Sequence, residues 1–154
     1  MLCHAIGFKQ LAVVAVAVGQ PCQCNSNRGA GKVEVCQRHF HDVLPTLEIE
    51  AINSMFTHEQ AATLLAGNPD YVIDAIDDIN TKADLVLACV EMQLPVISSM
   101  GAGAKADPSR LVIGDITDPV NDPLAAKLRS FIRSRLCKTG TDADSELTGC
   151  RLAV

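Results

Sequence analysis

Aromatic side chains are scarce: the 154 residues hold one tyrosine, four phenylalanines and no tryptophan. Hydrophobic residues make up 48% of the chain and charged ones 20%, so its core has to be built from Val, Ile, Leu and Ala. An aliphatic core of that kind suits an α/β sheet buried on both faces. Long apolar runs are missing too. Residues 11–18, LAVVAVAV, fall far short of the ~20 residues needed to span a bilayer. A single basic residue, Lys9, stands close before that run and no clean secretory pattern follows, so the segment reads as a buried strand rather than a signal peptide. Basic excess is also absent. A net charge of −5 argues against a protein that wraps DNA or RNA through bulk charge, although Lys127, Arg129, Arg133, Arg135 and Lys138 cluster near the C-terminal end. The seven cysteines contain no C-x-x-C half-site; only Cys22 and Cys24 lie close together. Structural zinc is thereby disfavoured, and the cysteines read as reduced intracellular thiols.

One further absence concerns phosphate binding. Nucleotide-binding α/β domains place a glycine-rich turn after the first strand, where backbone amides and a helix N-terminus receive phosphate. No G-x-G-x-x-G is present. Gly29-Ala30-Gly31-Lys32 and Gly101-Ala102-Gly103 come nearest, and each reads more simply as a tight turn. A nicotinamide-dependent oxidoreductase needs that fingerprint and an acid after the second strand, and neither is found.

The chain does contain alternating strand and helix patterns. Apolar residues at Val33, Cys36, Phe40, Val43 and Leu44 recur at intervals of three and four, so residues 32–44 are expected to form an amphipathic helix that Pro45 ends. Residues 47–52 alternate apolar and acidic or small residues, as a strand near the sheet edge would. Thr57 and Gln60 form a capping-box pattern for a short helix that Gly67 stops. Residues 69–103 then read as one βαβ unit. A strand over 71–76 meets an acidic turn, a helix over 80–93 puts Ala83, Leu87, Val90 and Leu94 toward the sheet, and a second strand over 95–100 ends in small residues. The acidic turn falls at the carboxyl end of the first of these strands, the edge at which open α/β sheets bind ligands. Residues 111–116 follow too soon for a crossover helix, so this strand is expected to leave the parallel direction. Residues 124–136 form a basic amphipathic helix. From Cys137 onward no periodicity survives, and the segment reads as a mobile tail. The expectation is a Rossmann-like α/β domain over residues 1–136, a mostly parallel sheet flanked by helices and lacking the Gly-rich first βα unit, followed by an irregular tail over 137–154.

Three features in order carry a resemblance: VIDAID over residues 72–77 followed by a lysine-containing helix, PVISSMGAGAKADPSR over 95–110, and GDI with the DPLA that opens the basic helix. Together they resemble the ubiquitin-activating-enzyme-like (ThiF-type) superfamily and, within it, the tRNA threonylcarbamoyladenosine dehydratase branch, over residues 32–135. The resemblance implies an aspartate at the end of the central strand that holds the Mg²⁺ of bound ATP. Asp77 occupies that place, and a carboxylate is the hard oxygen ligand Mg²⁺ takes. Asp74, inside the strand, reads instead as a buried carboxylate satisfied by backbone amides or a helix end. Asp78 reads as a helix cap. Upstream, Cys24-Asn25-Ser26-Asn27-Arg28 resembles the family's Ser-Asn-x-x-Arg segment, and Lys32 its following lysine. The resemblance therefore gives Asn25, Arg28 and Lys32 to ATP ribose and phosphates, a role suited to cationic side chains.

The implied activity is ATP-dependent cyclisation of a threonylcarbamoyl group on tRNA adenosine, with tRNA as substrate, ATP and Mg²⁺ bound, and an intracellular location, cytoplasmic or mitochondria-associated. The basic helix reads as a solvated face or as a contact to tRNA phosphates. No catalytic side chain is assigned; Cys89 lies on a face that looks buried, and nothing around Cys137 beyond Lys138 argues for an activated thiol. With the Gly-rich loop missing, the chain reads as a truncated member. Two alternatives stay open: a catalytically dead scaffold or dimer partner of a full-length homologue (family members are homodimers), and an adenylyltransferase of sulfur-carrier or ubiquitin-like proteins.

Overall fold

Short strands and helices alternate along the residues described by a computed structural model, which are 2–3, 11–14, 31–46, 48–101, 107–118, 122–139 and 150–153. The strands are β1 (Leu2–Cys3), β2 (Leu11–Val14), β3 (Ile49–Glu50), β4 (Tyr71–Asp74), β5 (Val96–Ser99), β6 (Ile113–Asp115) and β7 (Arg151–Ala153). The helices are α1 (Lys32–Val43), α2 (Ala61–Leu64), α3 (Ile79–Glu91) and α4 (Pro123–Thr139), with 3₁₀ turns at His58–Gln60 and Pro108–Arg110. All the strands join one sheet in the order β3-β1-β2-β4-β5-β7-β6, with β4 at its centre. The inner strands β2, β4, β5 and β7 run parallel. The flanks turn antiparallel: β1 on β2, β3 on β1, and β6 on β7. This is the Rossmann-like, mostly parallel arrangement expected from the alternation of elements. The strand expected near an edge is the edge strand β3, and the strand expected to leave the parallel direction is β6.

Helix α3 supplies the centre of the core. Its buried residues are Lys82, Ala83, Leu85, Val86, Leu87, Ala88 and Cys89, which occupy nearly every side of the helix, while Val90 is half-buried. The single sheet-facing stripe expected from the sequence is therefore too narrow. The helix meets β4 and β5 of the sheet and also α4, α2 and the His58–Gln60 turn, and these neighbours bury it on most sides. From α4, Ala125, Leu128, Ile132 and Leu136 reach the same core. Arg135 of that helix pairs with Asp84 of α3 and stacks 4.6 Å from the Phe131 ring centre.

The capping box expected at Thr57 and Gln60 does not form. The amide of Gln60, which the Thr57 side chain would cap, donates to the Thr57 carbonyl at 3.0 Å in a 3₁₀ turn, and no side-chain cap is made. The tail expected from Cys137 onward also differs. Helix α4 continues through Thr139, and Arg151–Ala153 enters the sheet as β7 between β5 and β6. A strand of three residues carries no readable period; it forms because two open strand edges receive it.

Helix α3 ends in a Schellman turn. The Leu94 amide donates to the Cys89 carbonyl at 2.8 Å, the Gln93 amide to that of Val90 at 3.0 Å, and Gln93 sits at φ 56°. A side chain in this left-handed position costs ~1–2 kcal/mol, which glycine avoids while losing some backbone entropy. Gln93→Gly is accordingly expected to raise the unfolding free energy by ~0.5–1 kcal/mol, read as a higher urea midpoint at unchanged slope.

Candidate functional site at the carboxyl edge of the sheet

Three aspartates follow one another where β4 gives way to α3, and the fold treats each differently. Asp74 is fully buried at the last position of β4, in register with Ser98 on β5 and Val14 on β2. Its Oδ1 accepts the Ile76 amide at 2.9 Å, and its Oδ2 accepts Lys82 Nζ at 2.8 Å and Ser98 Oγ at 2.5 Å. The expected buried carboxylate is thus there and one backbone amide satisfies it, but no helix end takes part. The remaining partners are the side chains of Lys82 and Ser98.

Asp78 caps α3. Its Oδ2 accepts the Asn80 and Thr81 amides at 3.1 and 2.9 Å and the Thr81 hydroxyl at 2.9 Å. The Thr81 amide, followed by the Thr81 hydroxyl, holds its carboxyl below the ordinary value of 3.8. Between these two, Asp77 is exposed, and its carboxylate has no partner among the described residues. One acid of the three is therefore available to a ligand, and it is the one singled out from the sequence.

Among the described residues no group of three or more His, Cys, Asp and Glu side chains could hold a metal ion. A lone carboxylate suits Mg²⁺, which keeps several waters and binds through one or two carboxylates plus substrate phosphates. Of the other residues singled out from the sequence, Asn25 and Arg28 lie outside the described residues. Lys32 is the first residue of α1, directly after Gly31, an extended N-cap without a side-chain cap. Gly101, at the start of the small-residue loop, lies one residue beyond the end of β5, after Met100, whereas Ala102 and Gly103 lie outside the described residues.

Lys82 was missed by sequence reasoning because a lysine on a helix is exposed by default. A partial signal was present: Asp74 is the one charged residue of its strand, YVID, and a buried charge needs a partner. The basic helix is also more committed than a solvated face. Arg129 donates to the Ile116 carbonyl at 3.2 Å and to that of Asp118, and Arg135 is held by Asp84. Lys127 is exposed, and Arg133, also exposed, has an interaction of its own. A groove of about 410 Å³ lined by Glu34, Gln37, Arg38, His41 and Ile49 lies between α1 and the edge strand β3, at the sheet border rather than at the Asp77 turn.

Cys36, Cys89, Cys137 and Cys150 are free thiols. Burial, with smaller repulsions from Cys150 and Asp74, pushes Cys89 from 9.0 up to about 12. Burial and then Asp115 push Cys150 up to about 11. Both resist ionisation in the fold and lose their protons near pH 8.5–9 once unfolded. Their stabilising contribution is intact below about pH 9 and is lost as pH rises through about 11 and 12. Denaturant midpoints are expected to fall between about pH 9 and 11, and Cys89→Ala to flatten that decline.

The family model that matches the chain is that of the ThiF family, over residues 19–135. Curated relatives include tRNA threonylcarbamoyladenosine dehydratase 2 of Saccharomyces cerevisiae, 40% identical over 116 residues, covering 74% of this chain and 26% of the yeast protein. The tRNA threonylcarbamoyladenosine dehydratase of Bacillus subtilis is 35% identical over 132 residues, covering 86% of this chain and 48% of that protein. The chain thus spans about a quarter to a half of the length of these two relatives. Among solved structures, E. coli tRNA N6-threonylcarbamoyladenosine dehydratase in complex with AMP superposes with a TM-score of 0.72 at 29% identity, covering 84% of this chain and 52% of that one. The same enzyme in complex with ATP gives a TM-score of 0.71. In both sequence and sheet arrangement, this chain belongs to the ThiF family.

Proposed function

We propose that this chain is the nucleotide-handling part of an ATP-dependent tRNA threonylcarbamoyladenosine dehydratase, with MgATP bound at the carboxyl edge of the sheet. The observation that carries the reading is the division of labour among the three acids: Asp74 and Asp78 are consumed by the fold, and Asp77 is exposed and has no partner among the described residues. The likeness to dehydratases, one of them solved with ATP, supports the choice of ligand.

In this reading Asp77 holds the Mg²⁺, and Asn25, Arg28 and Lys32 contact the ATP ribose and phosphates. ATP supplies the activation: the threonylcarbamoyl carboxylate would take the adenylyl group and displace pyrophosphate, and an internal nitrogen, giving up its proton, would then close the ring and expel AMP, so that the substrate loses the elements of water. The protein's own part is to hold the phosphates, balance their charge and exclude other geometries. The basic helix from Lys127 to Arg135, on which Lys127 is exposed, is offered to tRNA phosphates. A substrate of this kind places the protein inside the cell; among the described residues no helix is long and apolar enough to cross a membrane. Pairing with a second copy or with a full-length homologue completes the proposal.

Calorimetric titration of the purified chain with ATP, once with Mg²⁺ and once with EDTA, tests the reading. Tighter binding with Mg²⁺ is expected. No binding at millimolar ATP would defeat it for this chain and favour the non-catalytic dimer partner, a reading that the missing G-x-G-x-x-G supports.

A further inference from the structure

Lys82 has a place that its sequence context hides. It lies in the first turns of α3, fully buried, and its Nζ donates to Asp74 Oδ2 at 2.8 Å, Ser98 Oγ at 3.2 Å and the Ser99 carbonyl at 2.9 Å. Those three acceptors use all three ammonium protons. They come from the end of β4 and the end of β5, so one side chain ties a helix start to two adjacent parallel strand ends. Asp74 completes the circuit by accepting the amide of Ile76, whose own side chain is buried. Among the described residues no buried side-chain nitrogen or oxygen lacks a partner.

We propose that Lys82 is a positioning residue for Asp77: through Asp74 and Ser98 it fixes the 75–78 turn so that the Asp77 carboxylate stays outside the sheet edge. The proposal rests on the reading of Asp77 as the metal carboxylate. Asp77 lies between two anchors. On one side Ile76 is held by its amide and its buried side chain; on the other Asp78 is held by the Asn80 and Thr81 amides. Only the first anchor depends on Lys82. The Ser99 carbonyl, two residues before Gly101, brings the second strand-end loop under the same lysine. Stability alone does not explain such a cluster, because well-packed apolar residues usually serve a buried position as well or better than an ion pair. Directional hydrogen bonds, in contrast, fix geometry, and a metal or substrate misplaced by about 1 Å costs on the order of 100-fold in rate.

The test compares the wild-type chain with two variants. Asp74→Asn/Lys82→Met removes both charges while keeping an acceptor for the Ile76 amide. Ser98→Ala removes the bridging hydroxyl without leaving a lone charge. Two readouts are taken: amide hydrogen exchange at residues 75–78 against the α3 and α4 core, and the ratio of ATP affinities with and without Mg²⁺. The double variant is expected to exchange faster at 76–78 by about 10-fold or more while the core keeps its protection, and Ser98→Ala to show a smaller effect in the same residues. The Mg²⁺-dependent gain in ATP affinity is expected to fall by ~10-fold in the double variant, with metal-free affinity unchanged. A wild-type chain that gains nothing from Mg²⁺, combined with faster exchange at 76–78 in the variants, would remove Asp77's metal role and leave the positioning of the turn standing. Unchanged exchange at 76–78 in both variants would overturn the proposal.

Discussion

Lys82→Met is expected to lower the unfolding free energy by ~3–5 kcal/mol, because it leaves the Asp74 carboxylate buried without its cation. Asp74 is fully buried and would retain only the Ile76 amide and the Ser98 hydroxyl. For a chain of this size the loss corresponds to a drop in Tm of roughly 6–20 °C. Adding Asp74→Asn to Lys82→Met is expected to recover most of it, since the penalty lies in the unpaired charge rather than in the pair itself. A double-mutant cycle by urea denaturation measures this directly, and a large favourable coupling is the expected outcome. Additive losses would mean that the two side chains contribute separately.

Asp77→Ala has the opposite profile. The side chain is exposed and has no partner among the described residues, so stability should stay within ~0.5 kcal/mol of the wild type. The Mg²⁺-dependent part of ATP binding is expected to fall by at least ~10–100-fold, the loss seen when even a supporting partner of a metal ligand is removed. ATP affinity in EDTA should not change. Asp78→Ala separates this effect from a general disturbance of the turn: it removes the cap of α3, so it should lower stability, and it leaves the proposed ligand in place. Unchanged Mg²⁺ dependence in Asp77→Ala would remove that residue from the site.

Most of what surrounds Asp77 could be read from the chain because it is set locally. Apolar residues at 71–73 and 96–97 flank a helix whose N-cap Asp78 is followed by Asn80 and Thr81, and each of these signals acts within a few residues. The edge position of β3 follows from its alternation of apolar and acidic residues. What could not be read depends on distant partners. β7 is Arg-Leu-Ala, with no period of its own, and it is a strand only because β5 and β6 both pair with it. The capping signature at Thr57 is locally correct, yet the tighter 3₁₀ turn takes the amide it needs. Lys82 is hidden for a related reason: its acceptors lie 8, 16 and 17 residues away along the chain, on two strands that sequence spacing alone does not bring together. Arg135 likewise reads as part of a basic surface until its partner Asp84, 51 residues distant, is known.

The central claim, that the carboxyl edge at Asp77 receives metal-bound ATP, is tested most directly by titrating the isotope-labelled chain with Mn²⁺–ATP and following paramagnetic broadening of its amide resonances. Broadening centred on residues 75–80, fading toward Ile49 and Glu50 on the distant edge strand and relieved in Asp77→Ala, is the predicted result. Broadening centred instead on the groove of Glu34, Arg38 and His41, or no localised broadening at millimolar ATP, would contradict the account.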